Sequence, residues 1–465
     1  MWQILLYVVA GVVIMTIIIC ALAYFLGRFM VDCLIAYMGK VMMTDKYTEN
    51  VLELFTAVTR FGPQQIAELN LRAERGKPLL RPLGTPKRMA DVDSLMFDFA
   101  QLHRLPTPLE THIDMQTVLG PKAKRPLVLD MPVMIAGMAY GVALSEGAKV
   151  ALAKGAAMAG TAANTGEGPF LESERNAAKY LILQYNRGDW AKDESILKRA
   201  DAIEIQIGQG AYGGIGHVFR AEQMDDTLRE AFDYPKGRDA VAHSQQPDVD
   251  DPRKLKDLVS RLRKITDGVP IGVKIAAGRH LEQDMEWCIK AGVDFITVGP
   301  AQGASRGSPP ILQDDFGIPN VYAIHRAARY LERRRVRDRI TLVVGGRLRT
   351  PGDYLKALAL GADICGIGSP ALFAISHTQV LKPIPFEPPT QLVWYDGKFA
   401  KDFDVEKGAQ SLYKYLDSCK LEMGEGVRAL GKSSIHEVSR EDLMSLDETI
   451  ARVLDLPMVY EPGKD

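Results

Sequence analysis

The chain has 465 residues, 47% hydrophobic and 25% charged, with 57 Lys plus Arg against 58 Asp plus Glu. This composition excludes wholesale disorder and a collagen-like fibre. The net charge of −1 argues against a nucleic-acid partner, which calls for a basic excess.

Residues 1–27 contain no Asp, Glu, Lys or Arg, and Ile4 to Leu26 is almost wholly apolar. As a helix that run extends about 34 Å, enough to cross a hydrocarbon core of about 30 Å. A cleaved signal peptide is the alternative; it needs a basic start, which Met1-Trp2-Gln3 does not offer. Arg28, Lys40 and Lys46 follow the span and no basic side chain precedes it. The positive-inside rule then predicts a single-pass membrane protein with the bulk of the chain in the cytoplasm. Met30 to Met43 carries Asp32 and Lys40, and either lies along the interface or continues the first helix.

Residues 44–80 read as amphipathic helix broken at Pro63, and 81–130 as a wrapping segment with short strands. From Pro132 short apolar runs end in glycine loops and give way to helical stretches. Eight such runs are Val133–Ala136, Ala159–Ala163, Tyr180–Gln184, Ala202–Ile207, Ile271–Ile275, Phe295–Val298, Thr341–Val344 and Ile364–Ile367. Alternating strands and helices predict a parallel sheet, and eight of them suit an α/β fold of the (β/α)8 TIM-barrel type. An open doubly wound sheet would carry one glycine fingerprint at its first turn; here glycines follow nearly every strand. A long insertion, 211–260, separates the fourth and fifth runs, a length usual for a functional or disordered loop. Residues 376–400 read as extended and 401–465 as helical, with Ser439 capping Arg440-Glu441-Asp442. The expected organisation is a transmembrane helix (1–27), a juxtamembrane segment (28–130), a barrel (131–375) and a C-terminal extension (376–465).

In a barrel the reactive groups sit on loops after strand C-termini. Gly137-Met138-Ala139-Tyr140-Gly141 either lets a flat ligand approach the backbone or is a plain turn. In Asn164-Thr165-Gly166-Glu167-Gly168, Asn164 is placed to bond a heterocycle and Glu167 to act as acid or base; a capped loop is the alternative. Gln206 is either a ligand contact or a satisfied core amide. Lys274, inside an apolar strand, needs a charged partner or an anionic ligand. Gly345-Gly346-Arg347 and Gly366-Ile367-Gly368 follow strands seven and eight, the usual barrel phosphate site. His217 is a proton donor or a surface histidine, and Arg306 a carboxylate clamp or a solvated loop residue. These features describe a barrel with a phosphate site and a ring-accepting mouth.

Gly137-Met138-Ala139-Tyr140-Gly141, Asn164-Thr165-Gly166-Glu167-Gly168, Gly208-Gln209-Gly210 and Gly272-Val273-Lys274, with Leu430-Gly431-Lys432-Ser433-Ser434-Ile435-His436, resemble the FMN-binding domain of glutamate synthase in its short archaeal-type forms, over about residues 80–455. The resemblance implies an FMN barrel that reduces the imine of 2-oxoglutarate and ammonia. It further implies that Gly137, Met138, Ala139, Asn164, Gln206 and Lys274 contact flavin. Gly345, Gly346, Arg347, Gly366 and Gly368 would hold its phosphate, and Glu167, Gln209 and Lys274 would serve catalysis.

Departures accompany it. Ser376 to Gln391 contains no cysteine where the family places an iron–sulfur loop, so no cluster is expected. Tyr212-Gly213-Gly214-Ile215-Gly216 replaces the family's lysine and proline-glycine-glutamate run. Gly299-Pro300-Ala301-Gln302-Gly303 replaces its histidine-aspartate-glycine-glycine pattern, and Trp2 stands where the family's glutamine-hydrolysing cysteine would be. The expected partners are a small-molecule substrate, the membrane and a separate electron-donor protein or subunit. The competing readings are another barrel flavoenzyme (an isomerase or quinone-linked dehydrogenase) and a non-catalytic flavin-binding subunit.

Overall fold

The computed structural model describes residues 1–46, 52–303 and 305–463. They fall into two compact units that divide after Leu79. In the first, one helix, Trp2–Thr44, takes in both the apolar run and the stretch after it, and none of its residues is buried. By length and composition it is able to cross a membrane. At 1.5 Å per residue it reaches about 65 Å, roughly twice a hydrocarbon core. Helices Leu52–Phe61 and Pro63–Arg75 follow, and the predicted break falls at Gly62-Pro63. Residues 47–51 of that helical reading lie outside the described residues.

The second unit is built on eight parallel strands: β1 (Val133–Ile135), β2 (Ala162–Asn164), β3 (Tyr180–Tyr185), β4 (Ala202–Gln206), β5 (Ile271–Ala276), β6 (Phe295–Gly299), β7 (Thr341–Val344) and β8 (Ile364–Ile367). Their order is β1-β8-β7-β6-β5-β4-β3-β2. Such a monotonic order returns the last strand to the first, which is a barrel; a doubly wound sheet would reverse direction part-way. Thr161 Oγ1 donates to the Val133 carbonyl at 2.6 Å across the β1–β2 seam. The second strand starts three residues later than its apolar run suggests. Gly160 has φ 69, and a Cβ there would lie 1.9 Å from the Asp130 carboxylate, so 159–161 form a turn.

Alternation along each strand sorts the barrel interior into layers. The lowest is apolar: Met134, Ala162, Ile182, Ala202, Phe295, Val343 and Ile364, one from each of seven strands, cluster with Leu119, Leu127 and Leu129. Gly272 is the eighth member, and its missing side chain is where the Phe295 ring lies, 2.4 Å from a notional Cβ. The three leucines come from the antiparallel pair Thr117–Leu119 and Leu127–Leu129. That hairpin plugs the barrel's lower end and is tied to β7 by Gly120 N–H donating to Thr341 Oγ1 at 3.0 Å.

The insertion between β4 and β5 is ordered. It forms a strand pair, His217–Phe219 with Ala240–Ala242, and a helix, Asp226–Phe232. Met224, Leu228 and Phe232 pack with Tyr140, Leu171 and Trp190 into a satellite core. Gly141 serves that core: a Cβ would sit 2.1 Å from Leu228 Cδ1. Helix Val405–Ala429 covers the barrel flank, with Leu412 against Gly155 of helix Glu146–Met158. The Ser439 cap before Arg440–Asp442 is present as a reciprocal capping box.

Candidate active site at the barrel mouth

Two residues above the apolar positions on β2 to β6, the interior turns polar: Asn164, Gln184, Glu204, Lys274 and Thr297. Glu204 on β4 lies in the middle, 1% exposed. Its Oε1 accepts from Asn164 Nδ2 at 3.0 Å and Gln184 Nε2 at 2.7 Å, and its Oε2 from Thr297 Oγ1 at 2.6 Å. Asn164 Oδ1 accepts from Gly166 N–H at 2.9 Å. This buried carboxylate is satisfied on both oxygens, which is the condition for keeping it there. Gly137 makes room for the network: a Cβ would lie 2.7 Å from Asn164 Oδ1. Asn164 and Gly137 are thus brought to the mouth, with the Asn164 amide engaged inside the protein.

The loops after β1 and β2 are braced from below. Lys149, 1% exposed, donates to the carbonyls of Met138 (2.6 Å), Asn164 (2.9 Å) and Thr165 (3.2 Å), and pairs with Glu174 at 2.9 Å. Burial pushes the Glu174 carboxyl above its usual range, and Lys149 opposes the shift. Gly166, with φ 67, packs on Met138 and Ala139, where a Cβ would approach their backbone to 2.5 Å.

Beyond them stands a second saturated pair. Arg187, just past β3, is fully buried. Its Nε and Nη2 donate to Glu167 Oε1 (3.0 Å) and Oε2 (2.8 Å), and its Nη1 to the Ile215 carbonyl (2.9 Å). The guanidinium lies 5.8 Å from the Tyr212 ring, and Tyr212 Oη is 3.0 Å from His217 Nδ1. Burial pushes the Tyr212 phenol up to about 12. Burial also lowers the His217 imidazole; Glu167 pulls it the other way and Arg187 adds to the lowering. At neutral pH the pair is an uncharged donor and acceptor. Gln209 Nε2 donates to Ser305 Oγ at 3.0 Å, and its Oε1 receives a long bond from Gln206 Nε2 at 3.4 Å.

The other side of the mouth is open. Gln206 and Lys274 are register partners on β4 and β5. Gln206 is fully buried, yet its Oε1 has no hydrogen-bond partner among the described residues. Lys274 is 9% exposed, and no carboxylate pairs with it among the described residues. Gly366 on β8 and Gly368 just after it are glycines that packing does not demand: a Cβ would meet nothing nearer than 3.7 Å and 4.0 Å respectively. The 4.0 Å neighbour of Gly368 is Met138 Sδ, so the loops after β1 and β8 adjoin. Gly368 also opens helix Ser369–Ser376, whose first amides suit an anion. Gly345 lies against the Gly366 carbonyl and Gly346 against Pro300. Arg347 holds a left-handed φ of 57 and reaches Asp91 Oδ2 at 3.3 Å.

Arg306, the suggested clamp, is otherwise employed. It donates to the Val142 (3.0 Å) and Ala143 (3.2 Å) carbonyls, pairs with Asp396 and stacks 4.3 Å from the Trp394 ring. Ala304, in the same loop, lies outside the described residues. Sequence reasoning missed Glu204, Gln184, Arg187, Lys149 and Asp91. Glu204 alternates with Gln206 on an otherwise apolar strand, the one signal that exposed an inward position. Among the described residues no three His, Cys, Asp or Glu side chains cluster to hold a metal.

An orphaned acceptor, a counter-charge-free lysine and a glycine cradle at a helix start fit a planar heterocycle carrying a phosphate. Comparison with known proteins agrees with the family suggested by the motifs. Residues 85–433 match the conserved region in glutamate synthase. A glutamate synthase large subunit-like protein of Rhizobium meliloti is 32% identical over 87% of this chain and 96% of its own. An archaeal-type glutamate synthase [NADPH] of Dehalococcoides mccartyi is 30% identical over 81% and 79%. Among solved structures, a mutant flavocytochrome b2 with benzoylformate superposes with a TM-score of 0.49, 18% identity and 80% of each chain covered. The chain belongs to the glutamate synthase family.

Proposed function

We propose that this chain is a membrane-anchored, FMN-dependent oxidoreductase that reduces the imine of a 2-oxoacid to the amine. The observation that carries the reading is the open part of the mouth, where, among the described residues, Gln206 Oε1 has no hydrogen-bond partner and Lys274 no paired carboxylate, at the same strand ends as the Gly366–Gly368 cradle. FMN bound there would supply the hydride. Lys274 places a fixed positive charge where negative charge develops, a preorganised stabilisation in a water-poor site. Gln206 Oε1 would accept a hydrogen bond from the flavin ring, and Gly345, Gly346, Arg347, Gly366 and Gly368 would hold the phosphate. Glu167, with both oxygens on Arg187, fixes that guanidinium; the Tyr212–His217 pair holds a proton at Tyr212 Oη over the mouth.

Helix Trp2–Thr44 serves as the anchor, with the barrel on the cytoplasmic side. Electrons arrive from a separate protein or subunit; NADPH, carried in the names of the relatives, is the donor to try alone and with the membrane fraction. The test is an absorption spectrum of the detergent-solubilised protein under anaerobic dithionite. Flavin bands that bleach, then return with a 2-oxoacid plus ammonia, support the reading. Bands that bleach and stay bleached discard the substrate; a chain that takes up no FMN leaves a membrane-tethered binding module. Alkaline carbonate extraction of membranes tests the anchor: release into the supernatant overturns it.

A further inference from the structure

We propose that the mouth end of the barrel docks on a lipid bilayer through apolar side chains of two loops; the inference rests on the membrane-anchor reading above. The loop after β6 carries a short helix, Pro310–Asp314, whose burial is inverted. Gln313 is fully buried, and its Nε2 donates to the carbonyls of Arg81 (2.9 Å) and Ser308 (3.0 Å). Asp314 Oδ1 accepts from Arg81 Nη1 at 2.7 Å, and the Asp314 carbonyl accepts from Lys87 Nζ at 2.9 Å. Their apolar neighbours Ile311 and Phe316 are both more than half exposed. The segment after β8 repeats the pattern. Gln379 is buried; its Nε2 donates to the Asp404 carbonyl at 2.9 Å, and its Oε1 accepts from the Asp404 N–H at 2.8 Å. Leu381 and Ile384 close by are again more than half exposed. A loop that faces water normally covers its apolar side chains and leaves its amides to solvent. Two loops that do the reverse, on platforms held by hydrogen bonds, present their apolar groups to something other than water.

Both loops belong to the mouth. Ile318 N–H, two residues after Phe316, donates to the Ala277 carbonyl just past β5 at 2.9 Å. The β8 segment runs from Gly368 at the cradle to Trp394, which stacks on Arg306. A bilayer is a plane, so it touches separate prominences on one end of a barrel without needing a contiguous groove. The chain also enters the barrel unit at this end. Leu80, the first residue of that unit, is more than half exposed and directly precedes Arg81, which is bonded to Gln313 and Asp314. The sequence that carries the apolar helix Trp2–Thr44 is therefore joined to the rim of the mouth. A second apolar segment lies at the other end. Leu102, Leu105 and Leu109 are exposed, and Ala100 N–H donates to the Ala429 carbonyl at 2.8 Å. Ala429 ends the helix that starts with Val405 beside Gly147, near the mouth, and runs away from it. The point of chain entry selects the mouth end over this one.

The test uses the full-length protein carrying Cys20→Ser and Cys33→Ser, because these two cysteines are exposed while Cys288, Cys365 and Cys419 are buried. Ile311→Cys, Ile384→Cys and Leu105→Cys are made singly, labelled with a nitrobenzoxadiazole dye and reconstituted into phosphatidylcholine–phosphatidylglycerol vesicles. Half of each preparation contains a lipid with a nitroxide near its headgroup. Apolar groups docked at an interface sit about 5–10 Å into the headgroup and acyl boundary, within reach of that quencher. The nitroxide should quench the dye at positions 311 and 384 at least about twofold more than at 105, with a blue-shifted emission at the first two. Phe316→Cys and Leu381→Cys replace Ile311→Cys and Ile384→Cys where either fails to fold. Protein that floats with the vesicles in a density gradient, but with either mouth dye quenched no more than the dye at 105, overturns the inference and leaves the anchor reading standing. Protein that stays behind in the gradient overturns both.

Discussion

The two sides of the barrel mouth are made from the same kinds of residue and do opposite things with them. On one side the buried charged groups have found partners: Glu204 with Asn164, Gln184 and Thr297, Arg187 with Glu167, Lys149 with Glu174. On the other, among the described residues, Gln206 Oε1 at the end of β4 has no hydrogen-bond partner and Lys274 on β5 no paired carboxylate, and after β8 glycines stand where side chains would fit. Burial alone therefore does not separate a structural polar residue from a functional one. What separates them is whether the protein itself completes the hydrogen bonds, because an incomplete buried group costs free energy until something else completes it.

The largest effect should come from breaking the saturated side. Lys149→Met leaves Glu174 buried and unpaired and strips three carbonyls of their donor. Removing one partner of a buried pair typically costs about 3–5 kcal/mol, so denaturant unfolding should show a loss of that size or no soluble protein. Lys149→Met with Glu174→Leu should recover part of it. A single variant within about 1 kcal/mol of the parent would mean the pair does not hold the β1 and β2 loops.

The open side should respond in the reverse manner. Gly366→Ala places a methyl 3.7 Å from its nearest neighbour, so the empty barrel accommodates it. The same methyl would intrude on the cradle proposed for the phosphate. Thermal unfolding of the flavin-free protein should barely move while FMN affinity falls about a hundredfold, 2.7 kcal/mol. A comparable loss of stability would place Gly366 among the packing glycines. Lys274→Met removes an ammonium at the mouth that, among the described residues, has no paired carboxylate. Stability should hold or rise, and FMN affinity should fall about tenfold, read by fluorescence titration. A large destabilisation would show that Lys274 belongs to the saturated set.

This contrast marks how far the sequence could be read. The eight strands were legible because each is a short apolar run closed by glycine, and the parallel barrel follows from their alternation with helices. The glycine loops proposed for the phosphate were legible for the same reason, as Gly345-Gly346 and Gly366-Ile367-Gly368 fall at or after the seventh and eighth runs. The partners were not. Glu204 and Asn164 are 40 positions apart and Arg187 and Glu167 are 20 apart; only the curvature of the closed sheet brings them together. The extra residue of space at Gly137 and Gly141 illustrates the same limit. Both stand in a loop that reads either as a ligand approach or as a plain turn, and in the structure a Cβ at Gly137 would meet Asn164 and one at Gly141 would meet Leu228.

The smallest expected effect concerns the one titratable group that the saturated side holds neutral near physiological pH. Burial depresses the His217 imidazole below its unfolded value, about 6.5. As pH falls through that value the unfolded chain takes up a proton that the folded chain refuses. The unfolded state then binds more protons, so stability must decrease with falling pH and recover above about 6.5. The contribution to the slope is at most about 1.4 kcal/mol per pH unit, the value for one whole proton. His217→Gln retains a hydrogen-bonding partner for Tyr212 Oη and removes the titration. Its unfolding free energy, followed from pH 7.5 down to 5, should run flatter than the parent's by less than that amount. An unchanged slope would mean that His217 protonates in place, with Glu167 outweighing burial, and the β2–β4 side would then carry a switchable charge over the mouth where this account has a neutral pair.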